Sequence, residues 1–268
     1  MAKTTRQTAA RLTLETRGAV LLVGLNRPEK RNAVDEPTIA ALHDVFSAPP
    51  NGVRAIVVFG HGPHFCAGLD LSDLRTRGMI EGVQHSRAWH RCFEHIEFGA
   101  VPVVAALQGA VVGGGLELAA AAHIRVAERS AFYALPEGQR GIFVGGGGSV
   151  RLPRLIGVAR MADMMLTGRT YAAEEGLTVG FSQYVEGEGE ALPKAIALAE
   201  KIAGNAPMTN FAVVQALPRI AESDPRIGFF MESLTSAMAQ SDPEAKKRMQ
   251  DFLEKRAAKV AAPKERAK

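Results

Sequence analysis

Glu117 and Glu137 stand twenty residues apart, each within a glycine-rich stretch. Gly113-Gly114-Gly115 precedes the first, while Gly138, Gly141 and Gly145-Gly146-Gly147-Gly148 follow the second, so nine of the chain's 27 glycines fall in two short windows. Glycine loses more conformational freedom on folding than other residues, so such clusters imply unusual backbone angles or close approach of backbone to a ligand. Two carboxylates beside bare backbone suit general acid–base chemistry facing an anion-stabilising hole. Read singly, each is equally an ordinary acid, one at a helix start and one in a turn.

Three segments would have to position this chemistry. In Val111–Leu118 (VVGGGLEL) the good helix formers after the glycines predict a helix beginning near Gly114. Its first amides lack intrahelical partners and sit at the positive end of the dipole, a place for a developing oxyanion. Glu117 falls about one turn into that helix, beside the same spot. In His64–Leu71 (HFCAGLDL) Ala67-Gly68-Leu69 forms a small-residue turn able to supply a second amide, although a plain loop with Asp70 as a capping acid fits equally. In Leu135–Gly141 (LPEGQRG) Glu137 follows a stiff proline, and a buried carboxyl there would have the raised pKa of a proton donor.

Composition narrows the class. With 268 residues, 47% hydrophobic and 22% charged, the chain can bury a large core. It has no 18-residue apolar run, and Met1–Leu14 lacks the apolar h-region of a secretory leader, so neither a membrane span nor export is expected. The two cysteines, Cys66 and Cys92, fit a reducing cytoplasm rather than a disulfide framework. The net charge of +4 is local: residues 244–268 hold nine Lys/Arg against four Asp/Glu, which leaves 23 basic and 24 acidic residues elsewhere. A basic end suits a phosphate-bearing ligand or simple solvation; without an aromatic RNA motif or helix-turn-helix pattern, nucleic acid is not an expected partner.

Strand-like runs at Arg17–Leu25, Val53–Gly60 and Val101–Gln108 alternate with helical spacing at Thr38–Phe46 and Gln84–Ile96, and short strands are expected at Ile124–Ala127 and Ala131–Tyr133. This is an α/β pattern with parallel strands. From about Ala191 the chain reads as helices at Pro193–Ala203, Thr209–Ile220, Ile227–Gln240 and Pro243–Ala262, which divides it into residues 1–200 and a helical region 201–268. His90 and His95 are five apart, about 140° around a helix, and miss the H-E-x-x-H spacing of a metal site. Cys66 has no base tied to it by motif and reads as a small buried residue. Trp89 and Phe93, four apart, read as a packing stripe.

Taken in order, several blocks resemble the crotonase, or enoyl-CoA hydratase/isomerase, superfamily over nearly the whole chain. They are Asn26-Arg27-Pro28 with Asn32-Ala33, Phe65-Cys66-Ala67-Gly68-Leu69-Asp70-Leu71, Gln108-Gly109-Ala110-Val111-Val112-Gly113-Gly114-Gly115-Leu116-Glu117, Pro136-Glu137, Arg154-Leu155-Ile156-Gly157, Met165-Leu166-Thr167-Gly168 and Ala172-Ala173-Glu174-Glu175-Gly176-Leu177. The resemblance implies a spiral of ββα units with a C-terminal helical trimerisation region, assembling as a homotrimer or dimer of trimers. It implies an acyl-CoA thioester substrate whose carbonyl oxygen lies between the amides of Leu69 and Gly114, with Glu117 and Glu137 as the catalytic pair. The activity so implied is hydration of the 2,3 double bond, retention of Glu117 favouring hydration over isomerisation. Other reactions of the family (isomerisation, hydration with C–C cleavage, thioester hydrolysis) and non-catalytic acyl-CoA binding are the alternatives. No metal or redox cofactor is implied, CoA being part of the substrate. Lys30, Arg31 and Ala33 would lie near its nucleotide end, Ala67, Gly68, Asp70 and Leu71 along its path, and Phe252 and Lys255 would reach it from a neighbouring subunit. The chain departs from the family at Leu69, where Ala is common, and at Gly138-Gln139-Arg140, usually more apolar; Arg140 could pair with Glu137, point outward or meet a polar acyl group. Leu69, the helix over Gln84–Ile96 and Phe143 are expected to shape the acyl pocket.

Overall fold

A computed structural model describes residues 7–8, 11–70, 77–254 and 256. They fall in two compact units, Met1–Gly204 and Asn205–Lys268.

The frame of the first unit is a seven-stranded sheet. Strands β1 (Gln7–Thr8), β2 (Leu12–Arg17) and β3 (Val20–Leu25) run antiparallel at one edge. Strands β4 (Ala55–Gly60), β5 (Val103–Leu107), β7 (Ile124–Glu128) and β10 (Tyr184–Glu186) continue it in parallel. The strand expected over Arg17–Leu25 is thus the second arm of a hairpin: Gly18, at φ +58, turns the chain, and Arg17 ends the first arm. All six residues of β3 are buried, as a strand covered on both faces requires.

A smaller sheet holds β6 (Ala110–Val112) between bridges to Cys66 and a parallel partner β8 (Phe132–Ala134), with β9 (Tyr171–Ala172) beyond. The chain therefore steps from the large sheet (β5, β7) to the small one (β6, β8), and after β6 enters helix α3 (Gly114–Ala121), a strand–strand–helix repeat. Helices α1 (Glu36–Ser47) and α2 (Met79–Glu97) pack together on one face of the large sheet through Leu42, Phe46, Phe93 and Ile96. On the other face α7 (Ala191–Ala203) lays an every-fourth-residue stripe of Ala191, Ala195, Ala199 and Ala203 against Val20, Leu22, Val57 and Val104. Helices α4 (Gly148–Ile156), α5 (Val158–Thr167) and α6 (Ala173–Val179) occupy a stretch for which periodicity predicts no elements; they are short and broken by Gly157 and Gly168.

The second unit is helical. The single helix expected over Thr209–Ile220 is three pieces: α8 (Pro207–Phe211), a π-helical stretch Ala212–Ala216, and α9 (Leu217–Glu222). Pro218 has no amide to donate back along the helix, so the ladder widens just before it. Helices α10 (Pro225–Ser241) and α11 (Pro243–Leu253) follow, capped by Asp224 and by Asp242, whose carboxylate accepts from the Glu244 and Ala245 amides. The last helix, expected to reach Ala262, is described to Leu253. Among the described residues no helix is long and apolar enough to cross a membrane.

Candidate active site

The loop over Phe65–Asp70 runs beside α3 because small residues let backbone meet backbone. A Cβ on Gly68, which sits at φ +89, would lie 2.8 Å from the Val112 carbonyl oxygen and 3.1 Å from the Gly114 nitrogen. Leu69 forms a parallel bridge with Val34: Val34 donates to Gly68 O and Asp70 donates to Val34 O, each at 2.8 Å. In such a bridge the intervening Leu69 N–H points the opposite way, and its nitrogen lies 3.5 Å from where a Gly114 side chain would start. Gly114 is the first residue of α3, where amides have no helical partner. Among the described residues, neither the Leu69 nor the Gly114 amide donates to a protein acceptor. Two free N–H groups side by side are able to donate to one anionic oxygen.

Both glutamates border the same cavity, about 310 Å³, with Leu69, Gly114, Trp89 and Phe143 also in its wall. Glu117 belongs to a helix buried at all eight positions and is itself 3% exposed. Its Oε1 accepts from the Gly146 and Gly148 amides at 2.8 and 2.7 Å, the second being the first residue of α4. Burial pushes the Glu117 carboxyl above its ordinary value, and the Gly148 and Gly146 amides and Arg151 pull it back. The four-glycine run therefore holds Glu117, although by sequence it stands next to Glu137. A run of glycines ahead of a helix (SVRLPRL) was the available signal, since it marks amides without partners.

Glu137 ends in different surroundings. Burial, aided by the Glu117 charge, raises it to about 7, against weaker opposing pulls from its own backbone amide and Arg140. Its buried Oε2 has no hydrogen-bond partner. Arg140 is exposed and makes no ion pair with Glu137 among the described residues; both line a side cavity of about 30 Å³ with Ala67, Gly68 and the two free amides. Burial thus pushes both carboxyls up, Glu117 against the pull of two amides and Arg151, and Glu137 with one oxygen left unbonded.

The sign of the pH effect follows. A carboxyl with a raised folded pKa stabilises the fold fully below its unfolded pKa, here 4.5, and that contribution disappears as pH climbs through about 7. Glu137→Gln, which cannot ionise, should gain roughly 3 kcal/mol on the native protein between pH 4.5 and 8. Urea denaturation at the two pH values tests this; an unchanged difference would mean that Glu137 titrates normally.

A supporting pair escaped sequence reasoning. Arg151, 7% exposed, donates to Glu97 Oε2 at 2.6 Å and to the Gly146 carbonyl oxygen at 3.1 Å, fixing the peptide loop whose amides grip Glu117. The separation of 54 positions between Arg151 and Glu97 leaves no local pattern to detect. Arg151→Met should cost about 3 kcal/mol of stability, as loss of one partner of a buried pair does. It should also lower kcat roughly 10²-fold by misplacing Glu117, with partial rescue by Arg151→Lys; equal kcat for Met and wild type would remove Arg151 from the positioning role.

Of the remaining expected ligand contacts, Lys30 ends a 3-10 turn (Pro28–Lys30) and Arg31 caps it, both exposed, and the turn is tied to the Phe65–Asp70 loop by the Ala67 amide donating to Arg31 O at 3.0 Å. Ala33 is 9% exposed, and its carbonyl oxygen accepts from Arg27 at 2.6 Å. Asp70 is buried, and Arg27 donates to its carboxylate at 2.7 Å, so it faces the interior rather than the cavity wall. Phe252 is exposed on α11. Leu71 and Lys255 lie outside the described residues. Cys66 and Cys92 are buried thiols, both pushed up to about 12 by desolvation, unsuited to act as nucleophiles.

Comparison with known proteins bears on the same geometry. A family model described as enoyl-CoA hydratase/isomerase matches residues 15–262. The chain is 32% identical over 246 residues to the short-chain-enoyl-CoA hydratase of Clostridium acetobutylicum, an alignment covering 91% of this chain and 94% of that protein. Among solved structures, a Rhodopseudomonas palustris protein 60% identical in sequence matches with a TM-score of 0.90, over 95% of this chain and 98% of the other. An enoyl-CoA hydratase from Bacillus anthracis, 29% identical, matches with a TM-score of 0.86 over 91% and 96%. The two-sheet spiral with helical C-terminal unit is the crotonase fold, and by sequence, fold and extent of match the chain belongs to the enoyl-CoA hydratase/isomerase family.

Proposed function

We propose that the protein adds water reversibly across the 2,3 double bond of an acyl-CoA thioester. One observation carries the reading: two buried carboxyls border one cavity beside two unpartnered backbone amides. The thioester oxygen would accept from the Leu69 and Gly114 N–H groups, which stabilise the enolate-like charge formed as water attacks C3. A donor of this kind is typically worth about 2.7–4 kcal/mol. Glu117, whose Oε1 accepts from the amides of Gly146 and Gly148, takes a proton from the water; Glu137, about half protonated near pH 7, gives one to C2. The protons balance, and exchange with solvent resets the pair. Hydration and dehydration both start from a pair that holds one proton, so both weaken as pH rises through about 7, where Glu137 ionises.

The assignment extends to a homotrimer or dimer of trimers working in the cytoplasm without metal or redox cofactor. The second unit, with Phe229 72%, Phe230 63% and Leu253 72% exposed, supplies apolar surface of the kind buried on assembly; light scattering that finds only a monomer would rule assembly out. The reaction is tested by mass spectrometry of the acyl-CoA after incubation with crotonyl-CoA. A product heavier by one water supports hydration. An unchanged mass with a shifted double bond, a shortened acyl group, or free CoA would assign an isomerase, a C–C lyase or a thioester hydrolase instead.

A further inference from the structure

The cavity that borders the two glutamates is not alone. A second, of about 340 Å³, lies between α1 and α2, and the chemistry above gives it no task. The two cavities share two wall residues, His85 and Trp89, both on the face of α2. The indole is 6% exposed and firmly seated. Its Cζ3 and Cη2 lie 2.7 and 2.9 Å from the point where a side chain on Gly114 would begin, and its Cε3 lies 3.1 Å from the same point on Gly146. Phe93 meets it edge-on with ring centroids 5.6 Å apart. Trp89 therefore touches the residue that supplies one oxyanion amide and the loop that holds Glu117, with an unfilled volume behind it.

We propose that Trp89 determines acyl-chain length: it is the back wall of the substrate cavity and restricts the site to short acyl chains. An acyl chain growing away from a carbonyl at the Gly114 amide meets the indole, which cannot swing aside without leaving its contacts with Gly114, Gly146 and Phe93. The space beyond is lined by Ile39, Ala40 and Ala88 together with His43, Asp44 and Arg91, and the seated indole closes it to the chain. Cutting the indole back joins the two cavities and gives additional methylenes somewhere apolar to lie. The proposal rests on the acyl-CoA reading of this site, but it concerns fit rather than turnover.

The test is therefore one of binding. Dissociation constants of saturated butyryl-CoA and decanoyl-CoA, which cannot be hydrated, are measured by calorimetry for wild type, Trp89→Ala and Trp89→Ala/Ala40→Phe. Wild type should bind butyryl-CoA at least about tenfold more tightly than decanoyl-CoA, because seating the longer chain strains it against the packed indole. Trp89→Ala should shift that ratio at least about tenfold toward decanoyl-CoA, and Ala40→Phe, refilling the second cavity, should shift it back. If the alanine variant does not fold, Trp89→Leu should move the ratio in the same direction by at least about threefold. Equal wild-type affinities, or a ratio unmoved in a folded Trp89 variant, would overturn the proposal. Intact chain-length discrimination in a protein that leaves crotonyl-CoA unhydrated would sink the reaction assigned above and leave Trp89 in its role.

Discussion

Glu137→Gln should lower hydration of crotonyl-CoA by about 10³-fold, within the range that a general acid contributes, while binding of butyryl-CoA stays within about twofold. The amide keeps the shape of the carboxyl, and no protein group bonds its buried Oε2, so substitution orphans no partner. What it removes is a proton available at neutral pH, which burial near Glu117 provides by lifting the carboxyl to about 7. Steady-state rates with calorimetric affinities check this. A loss of affinity as large as the loss of rate would make Glu137 a binding residue. The same variant is expected to be more stable than wild type above neutral pH, so the acid would be kept at a cost to the fold.

Gly113→Ala has the second large effect. Gly113 sits at φ +53 and ψ −123, a combination that side chains other than hydrogen strongly disfavour, and a Cβ there would lie 2.5 Å from Glu137 Oε1. Its carbonyl oxygen also accepts from the Glu117 amide at 3.0 Å, so a shift of this peptide disturbs both carboxyls and the neighbouring Gly114 amide. Loss of one oxyanion donor alone costs about 10²–10³ in kcat, and at least that is expected, with destabilisation of about 1–3 kcal/mol. Gly141→Ala is the control. Gly141 is also left-handed, at φ +70, but has open space where the methyl would go, so it should lose about 1 kcal/mol of stability with kcat within about threefold. Equal kcat losses in the two variants would show that backbone strain, not the clash with Glu137, is responsible.

The groups that meet at the cavity were legible because the signal for each is local. A helix start after three glycines announces the Gly114 amide and places Glu117 one turn on, and a small-residue loop announces Leu69. What sequence could not show is what grips those groups. Glu117 is held by amides 29 and 31 residues away, and these by Arg151 through Glu97 a further 54 residues distant, so only the folded chain brings them together. Asp70 shows the opposite difficulty. Its neighbours Gly68 and Leu69 border the cavity, yet the parallel bridge to Val34 and the pull of Arg27 turn its carboxylate inward. The hairpin at Gly18 and the π-helical stretch before Pro218 were missed because one glycine or proline redirects a run whose apolar pattern continues through it.

The central claim is that Glu117 and Glu137 act as one unit on one water. The most direct measurement is the decay of the enoyl-thioester ultraviolet absorbance of crotonyl-CoA, compared among wild type, Glu117→Gln, Glu137→Gln and the double variant. Each single substitution should cost about 10³-fold, and the double little more than either, because groups that work as a unit are lost together. Losses that multiply in the double variant, or a single variant as fast as wild type, would contradict the shared water.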